Sequence, residues 1–158
     1  MAKLTVGKGL SDYISELEKL YDVNFYFEPV IYEGVSVINN AITSALKALP
    51  VDDSKGKSDH RSGIRSIEKE GLIKAYGISE IQNENGYINR KIGFYNGYIE
   101  NEKTGYKKPV LVVARSLVSG TSFMQKNDIF SKATKANKSK AEQAMARKLD
   151  EAINKLIQ

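Results

Sequence analysis

Few residues of this chain could carry nucleophilic or metal chemistry. Its 158 residues include no cysteine and one histidine, His60, which lies in the polar run DDSKGKSDHRSG. Without a thiol, a cysteine nucleophile and a thiolate metal site are excluded, and one histidine cannot build a multi-histidine site. The possible ligands in that run are Asp52, Asp53, Asp59 and His60. Two lysines among them argue against a metal site.

Other catalytic patterns are also missing from the sequence. One histidine and no cysteine cannot supply a Ser-His-Asp or Cys-His arrangement. Gly93 and Gly97 lie in a hairpin setting rather than between a strand and a helix, so they do not form a phosphate-binding loop. A carboxylate pair for acid–base catalysis stays open, but no pair stands in an apolar setting that would tune its pKa. We predict no catalytic residues, no metal and no cofactor.

The composition is that of one globular domain covering 1–158. Hydrophobic residues make up 41% and charged residues 27%, which is typical of soluble proteins. No run approaches the roughly 18 apolar residues of a membrane span, and the start MAKLTVGKG lacks the apolar core of a signal peptide. We therefore expect synthesis in a cytoplasm, where the protein stays soluble, and no membrane partner.

The charges are unevenly distributed along the chain. Residues 1–50 carry four lysines against six acids, a net of −2, whereas residues 126–148 carry seven basic residues against two acids, a net of +5. An acidic front and a basic back suit nucleic acid at one end, or copies of the chain that meet head to tail. A solvated helix face is the third interpretation, and the pattern does not separate the three.

The stretch from Pro109 to Phe130 carries the most information about local structure. Pro109 suits the first position of a helix, and the following run VLVVA is apolar all round. Gly120 stands where a helix C-cap glycine is expected. We predict a short buried helix, a tight exit through Thr121 and Ser122, and an aromatic plug that seats the last helix.

The plug has two interpretations. Phe123, Met124 and Phe130 can be core residues, which is the commoner role of such side chains. Methionine and phenylalanine are also favoured in the cores of protein interfaces, so direct contact with a partner stays open. With the basic residues of this half, the candidate interface residues are Arg115, Phe123, Met124, Lys126, Lys132, Lys135 and Lys138.

Apolar residues at helical spacing predict two helices in the first third of the chain. The first covers roughly 10–22 and is followed by a connector over Val23–Phe27. The second begins at Pro29 and ends before Pro50, because the residue before a proline is pushed out of the α region. Gly34 and other small residues on this helix allow close packing of a neighbour, expected to be the last helix.

A hairpin is the clearest β signal in the sequence. Asn85-Gly86 separates two apolar segments and is typical of a tight hairpin turn. We predict an antiparallel hairpin at about 78–95, packed against long helices in an α+β fold. The side chains expected on its inner face are Ile88, Ile92 and Phe94.

The remaining segments complete this arrangement. A short helix is predicted over 64–76, and mobile loops over about 51–63 and 96–108, the second being an exposed loop or an extended β-arm. A long C-terminal helix, capped by Asn127 or Asp128, reaches nearly to the end of the chain. Its part over 132–140 has almost no large apolar residue, so we expect it to project from the core.

The order of these elements and several local strings resemble a known family. The strings are VIYEGVSVINNAITSALKALPVDD, GLIKAYGISEI, NGYINRKIGF, PVLVVARSLVSGTSF and a Phe130-led, Lys/Ala-rich helix. Together they resemble the tail-completion, or head–tail joining, family of tailed bacteriophages, over about residues 30–155. The chain departs from the family pattern at Asp128-Ile129-Phe130, where family members carry a proline-bearing step before the final helix.

The resemblance implies a structural protein of the virion neck without enzymatic activity. It implies a homo-oligomeric ring, expected to be a hexamer, that contacts the tail tube and the head connector or neck proteins. DNA would pass through the channel without sequence-specific binding. Two alternatives stay open: a tail terminator that caps the tail tube, and a small basic protein that binds nucleic acid through its last helix.

Overall fold

The computed structural model describes residues 23–53, 63–85, 87–101, 105–122 and 124–157. Within these ranges the chain forms four helices and six short strands, the α+β fold that the sequence predicts. The helices are α1 (Val23–Lys47), α2 (Ser66–Ala75), α3 (Val110–Ser119) and α4 (Ile129–Ile157). The strands are β1 (Tyr76–Ile78), β2 (Gln82–Glu84), β3 (Tyr87–Asn89), β4 (Ile92–Phe94), β5 (Tyr98–Asn101) and β6 (Tyr106–Pro109). The helix predicted over 10–22 and most of the 51–63 loop lie outside the described residues.

Helix α1 begins earlier than the sequence predicts. Val23–Phe27 is helical rather than a connector, and Pro29 lies inside the helix instead of starting it. A proline inside a helix removes one backbone hydrogen bond and strains the preceding turn. Contacts on both sides offset that cost, because Glu28 binds Arg90 from β3–β4 and Val30 is buried in the core.

Helices α1 and α4 pack against each other in antiparallel directions. A Cβ on Gly34 would lie 2.4 Å from Sδ of Met145, so the two helices approach closely at this glycine, as predicted. Glu33 and Arg147 form an ion pair of 3.4 Å beside it. At the other end of α1, Leu46 shares the buried core with Ile129, the first residue of α4.

The first half of α4 does not project from the core. Ala133 packs against the core cluster and Ala141 is buried, so α4 lies along α1 through this stretch as well. Seven of the nine residues of 132–140 are exposed, as predicted for a stretch without large apolar residues, but the contact of Ala133 with the core means that the stretch does not project. Small side chains are sufficient here, since a close helix pair needs little side-chain volume at its contact line.

Strands β1 to β4 form one long hairpin in two ladders. β1 pairs with β4 and β2 with β3, both antiparallel, and Asn85 takes the left-handed conformation (φ 55°) at the turn. Gly77 faces Gly93 in one ladder and Gln82 faces Asn89 in the other. Between these two pairs, the segment from β1 to β2 therefore has one more residue than the segment from β3 to β4. This bulge, at about Glu80, bends the hairpin. The predicted hairpin is confirmed.

The base of this hairpin is fixed by three aromatic rings. The ring of Phe94 lies 5.1 Å from that of Tyr76 and 5.7 Å from that of Phe130, both in edge-on geometry. Such pairs stabilise beyond the area they bury. Burial also raises the pKa of Tyr76 to about 12.

The second hairpin joins β5 to β6 and leads directly into α3. This is the β-arm of the two alternatives for 96–108, and its inner residue Ile99 is buried against α2, where a Cβ on Gly71 would lie 2.4 Å from it. Pro109 ends β6 in extended conformation and Val110 starts α3. Gly120 ends α3 with φ 74°, and its N–H donates to the Ser116 carbonyl, as the predicted C-cap requires.

Candidate subunit interface

Helix α3 buries one face and exposes another that is partly apolar. Its buried side chains belong to the core: Val110, Val113, Ala114 and Leu117. On the opposite side Leu111 is 50% exposed and Val118 is 37% exposed, with the exposed Arg115 between them. Positions i, i+4 and i+7 share one side of a helix. We call Leu111, Arg115 and Val118 the α3 face.

Arg115 is available to a partner on this face. Among the described residues no carboxylate lies within ion-pair distance of its guanidinium. Lys126, which follows the end of α3, is exposed but forms an ion pair of 3.3 Å with Asp128. Guanidinium groups between apolar side chains are favoured in protein interfaces. The predicted interface role of Arg115 is therefore compatible with its position, whereas the charge of Lys126 is already partly matched.

Met124 occupies the core. It is 6% exposed and forms a short bridge with Thr121, so its side chain seats the connection between α3 and α4. Of the two interpretations of the plug, the core role is the one that the structure gives this residue. Phe130 is half-buried in the aromatic cluster, and Phe123 lies outside the described residues.

The three predicted lysines of α4 lie on a separate surface. Lys132, Lys135 and Lys138 are all exposed, and we call them the lysine row. Lys138 pairs with Glu142 at 3.7 Å, whereas Lys132 and Lys135 have no carboxylate within ion-pair distance among the described residues. The lysine row is on α4 and the α3 face is on another helix, so the predicted candidates divide into two surfaces.

A third exposed surface was not among the predicted candidates. Tyr87, at the turn of the long hairpin, is 78% exposed, the highest value of the large apolar side chains described. Glu84, which pairs with Tyr87 across the turn, is exposed and forms an ion pair of 2.8 Å with the exposed Lys91, and Glu80 is exposed at the bulge. We call these four residues the hairpin tip. The strand alternation in the sequence places Tyr87 on the outer face of the hairpin. This alternation is the signal from which the exposure of Tyr87 can be predicted.

A cavity of about 250 Å³ lies between α2, β6 and α3. Its floor holds Glu68, which is 3% exposed and accepts a hydrogen bond of 2.6 Å from Nζ of Lys108. The carboxylate also accepts from the Arg65 backbone N–H at 3.4 Å. A paired carboxylate of this kind holds β6 against the start of α2.

In the described ranges, no three carboxylate or histidine side chains are arranged to hold a metal ion. No helix in those ranges combines the length and apolar character that crossing a membrane requires.

Comparisons of the chain with models of protein families, with curated proteins and with solved structures give no match.

Proposed function

We propose that this protein is a structural component of a tailed-phage virion, a ring at the neck or head-proximal tail end that completes the tail and joins it to the head. The observation that supports this most directly is the α3 face. It lies within PVLVVARSLVSGTSF, one of the strings that carry the family resemblance, and it leaves Leu111 and Val118 exposed on a helix whose other side is core. Large contiguous apolar patches mark surfaces that another protein covers, and Leu111 and Val118 give this side of α3 an apolar character on which such a contact can be built.

The mechanism of such a protein is assembly rather than chemistry. The core around α1, α2 and α3 folds each subunit, and the exposed faces then bind neighbouring subunits and the ends of the tail and head. DNA crosses the ring without being read, because a channel acts on shape and charge and makes no base contacts. Homo-oligomers of this kind close through rotational symmetry, and a hexamer is the expected copy number.

Binding to tails tests this role. Purified protein is added to tails that lack it, taken from the phage or prophage that encodes the chain, and labelled protein is located by electron microscopy. We expect label at one end of each tail and restored joining to filled heads. Label along the tube, or none at all, contradicts the proposal. The Arg115→Glu variant is the interface control, because an exposed charge can be reversed without disturbing the core.

The tail-terminator alternative predicts a different defect. A terminator stops the growth of the tail tube, so a phage without it makes tubes of uncontrolled length. A completion protein acts on finished tubes, so its loss leaves tails of normal length that do not join heads. Measuring tube lengths in a deletion strain separates the two roles.

The nucleic-acid alternative is supported by the lysine row. Lys132 and Lys135 are exposed cations without a carboxylate partner in the described part of the chain, which suits phosphate binding. Against it, α4 has no aromatic side chain after Phe130 with which bases could stack. Replacing Lys132 and Lys135 by alanine should weaken DNA binding and lower its salt dependence, whereas Lys74→Ala on α2 should not. Binding that is absent or insensitive to salt removes this alternative.

A further inference from the structure

Two exposed surfaces of this chain are complementary in chemistry. The α3 face carries one cation, Arg115, between two aliphatic side chains. The hairpin tip presents Tyr87 and carries two exposed carboxylates, Glu80 and Glu84, against one exposed cation. That cation, Lys91, forms an exposed ion pair with Glu84 at 2.8 Å, so the tip keeps a net negative charge. An arginine binds both a carboxylate and the face of a tyrosine ring, and leucine and valine accept the rest of that ring.

The two surfaces lie at opposite ends of the subunit. The α3 face belongs to the helix that packs on the C-terminal part of α1, since Val113 and Leu117 share the core with Leu46. The long hairpin runs the other way along α1, because Arg90 binds Glu28 near the helix start. Between Glu28 and Leu46, α1 rises roughly 27 Å at about 1.5 Å per residue.

The tip stands still farther from α3. The hairpin is fixed at its base by Phe94 in the aromatic cluster, and from Phe94 to Tyr87 a strand rises roughly 23 Å at about 3.3 Å per residue. Tyr87 lies three residues beyond Arg90, the residue that binds α1. The tip therefore extends past this contact. The α3 face and the hairpin tip cannot meet within one subunit.

Pairing of the α3 face with its own copy is unfavourable. If two copies of the α3 face paired about a two-fold axis, the middle residue Arg115 would face Arg115 of the second copy. Like charges in contact repel. The hairpin tip has the same difficulty, because its carboxylates outnumber its one cation and two copies of it would repel. Each surface therefore favours the other surface over itself.

We infer that the hairpin tip of one subunit docks on the α3 face of the next, with Tyr87 between Leu111 and Val118 and Glu84 against Arg115. This inference rests on the proposed ring and names the faces that form it. A contact between two different surfaces is heterologous, so it repeats head to tail and closes into a ring when the rotation between subunits allows it. The occupant of the α3 face is a second copy of this chain.

Charge reversal on each side tests the contact. In the Arg115→Glu variant and in the Glu84→Arg variant, every contact between copies would bring like charges together, and we expect self-association to weaken roughly tenfold or more. The double variant restores opposite charges and should assemble like the wild type. The matched control is Glu100→Arg, which breaks an equally exposed ion pair with Lys107 on the other hairpin and should leave assembly unchanged.

A mixture of the two single variants gives the sharpest result. The tip of the Glu84→Arg variant and the α3 face of the Arg115→Glu variant have opposite charges, so these form one restored contact. The other two faces, Arg115 of the Glu84→Arg variant and Glu84 of the Arg115→Glu variant, are unchanged from the wild type and also attract each other. Sedimentation velocity should therefore show assemblies in the mixture, with the two variants alternating, and monomers in each variant alone. Melting midpoints equal to the wild type verify that both exposed substitutions leave the fold intact.

The contradicting results are equally distinct. Single variants that assemble like the wild type overturn this contact and leave the proposed ring standing on other faces. A mixture that stays monomeric also overturns it, because the two variants together supply opposite charges at every head-to-tail contact. A wild-type chain that stays monomeric at every soluble concentration overturns the inference, and the neck role is then decided by tail binding alone.

Discussion

The carboxylate of Asp53 caps α2 through Ser66, 13 residues farther along the chain. Oδ1 accepts the Ser66 backbone N–H at 2.9 Å, and Oδ2 accepts the Ser66 hydroxyl. A pair of backbone hydrogen bonds fixes the same junction, from Ile64 N–H to the Pro50 carbonyl and from Asp52 N–H to the Ile64 carbonyl. The end of the ALPVDD string thus has a structural role, since it ties the end of α1 to the start of α2.

Removing this cap should destabilise the fold. Asp53→Ala leaves the Ser66 N–H, the first of α2, without its acceptor, so we expect a lower midpoint of thermal unfolding at neutral pH. Asp53→Asn keeps one acceptor oxygen, so it should lower the midpoint less than Asp53→Ala does. Asp53→Ala with a midpoint equal to the wild type contradicts this role.

The same contact predicts a loss of stability in acid. Hydrogen bonds from the Ser66 side chain and backbone hold the pKa of Asp53 below its ordinary value. A depressed folded-state pKa stabilises the fold at pH values above the unfolded pKa, and that contribution disappears as the pH falls from about 3.9 through the folded value. The difference in stability between wild type and Asp53→Ala should therefore shrink across this window. The expected change corresponds to about one titrating group. A difference in stability between the two proteins that stays constant from pH 6 to pH 2 contradicts this role of Asp53.

Tyr76 predicts a loss of stability in alkali. Its pKa is raised to about 12 by burial, so the folded state holds the phenolic proton more tightly than the unfolded state, whose tyrosine pKa is about 10. A raised pKa contributes stability that is complete below pH 10 and is lost as the pH rises toward 12. Tyr76→Phe keeps the ring contacts with Phe94 and should flatten the unfolding free energy in this range. Identical alkaline profiles for the two proteins contradict the prediction.

Gly34 should tolerate a larger side chain only if Met145 is shortened. Gly34→Val places atoms where Met145 Cγ and Sδ lie, 2.4 Å from the position of a Cβ, and we expect a destabilisation of about 1–3 kcal/mol from overpacking. Met145→Ala opens that space, so the two substitutions should couple favourably by about 0.5–3 kcal/mol in a double-mutant cycle. Ser44→Val, at an exposed site of α1, measures the effect of β-branching alone. Additive effects of the two substitutions would mean that the helices do not approach closely at Gly34.

The ion pair of Glu68 and Lys108 should show the cost of removing the cation beside a buried carboxylate. Lys108→Met removes the donor and leaves the Glu68 carboxylate in the core, and we expect a loss of about 1–3 kcal/mol. The double variant with Glu68→Leu removes both charges and should recover most of the loss. Lys107→Met, which breaks the exposed pair with Glu100, should cost less than about 1 kcal/mol. Equal losses for Lys107→Met and Lys108→Met contradict the burial argument.

Local signals in the sequence identified much of the fold. Gly120 ends α3 because glycine takes a positive φ without steric cost, and Asn85 takes a left-handed conformation at the predicted hairpin turn. The small residue Gly34 also indicated correctly which helix would pack on α1. In each case the requirement depends on one or two neighbouring residues, which a sequence displays directly.

Features that depend on distant residues were missed or mistaken. Pro29 was read as a helix start, but the contact of Glu28 with Arg90 lets α1 continue through it. The cap from Asp53 to Ser66 joins two segments whose approach no local pattern encodes. For the interface, the apolar neighbours of Arg115 in the sequence are sufficient to indicate that residue as a candidate. The hairpin tip becomes a candidate only in the folded chain, because its distance from α3 depends on α1.

Native mass spectrometry of the purified chain, with negative-stain images of the same sample, tests the central claim most directly. The account predicts a discrete closed ring, expected to be a hexamer, that the Arg115→Glu variant does not form. A chain that is monomeric at every concentration, and that forms no ring on the ends of its own tails, would contradict a neck protein.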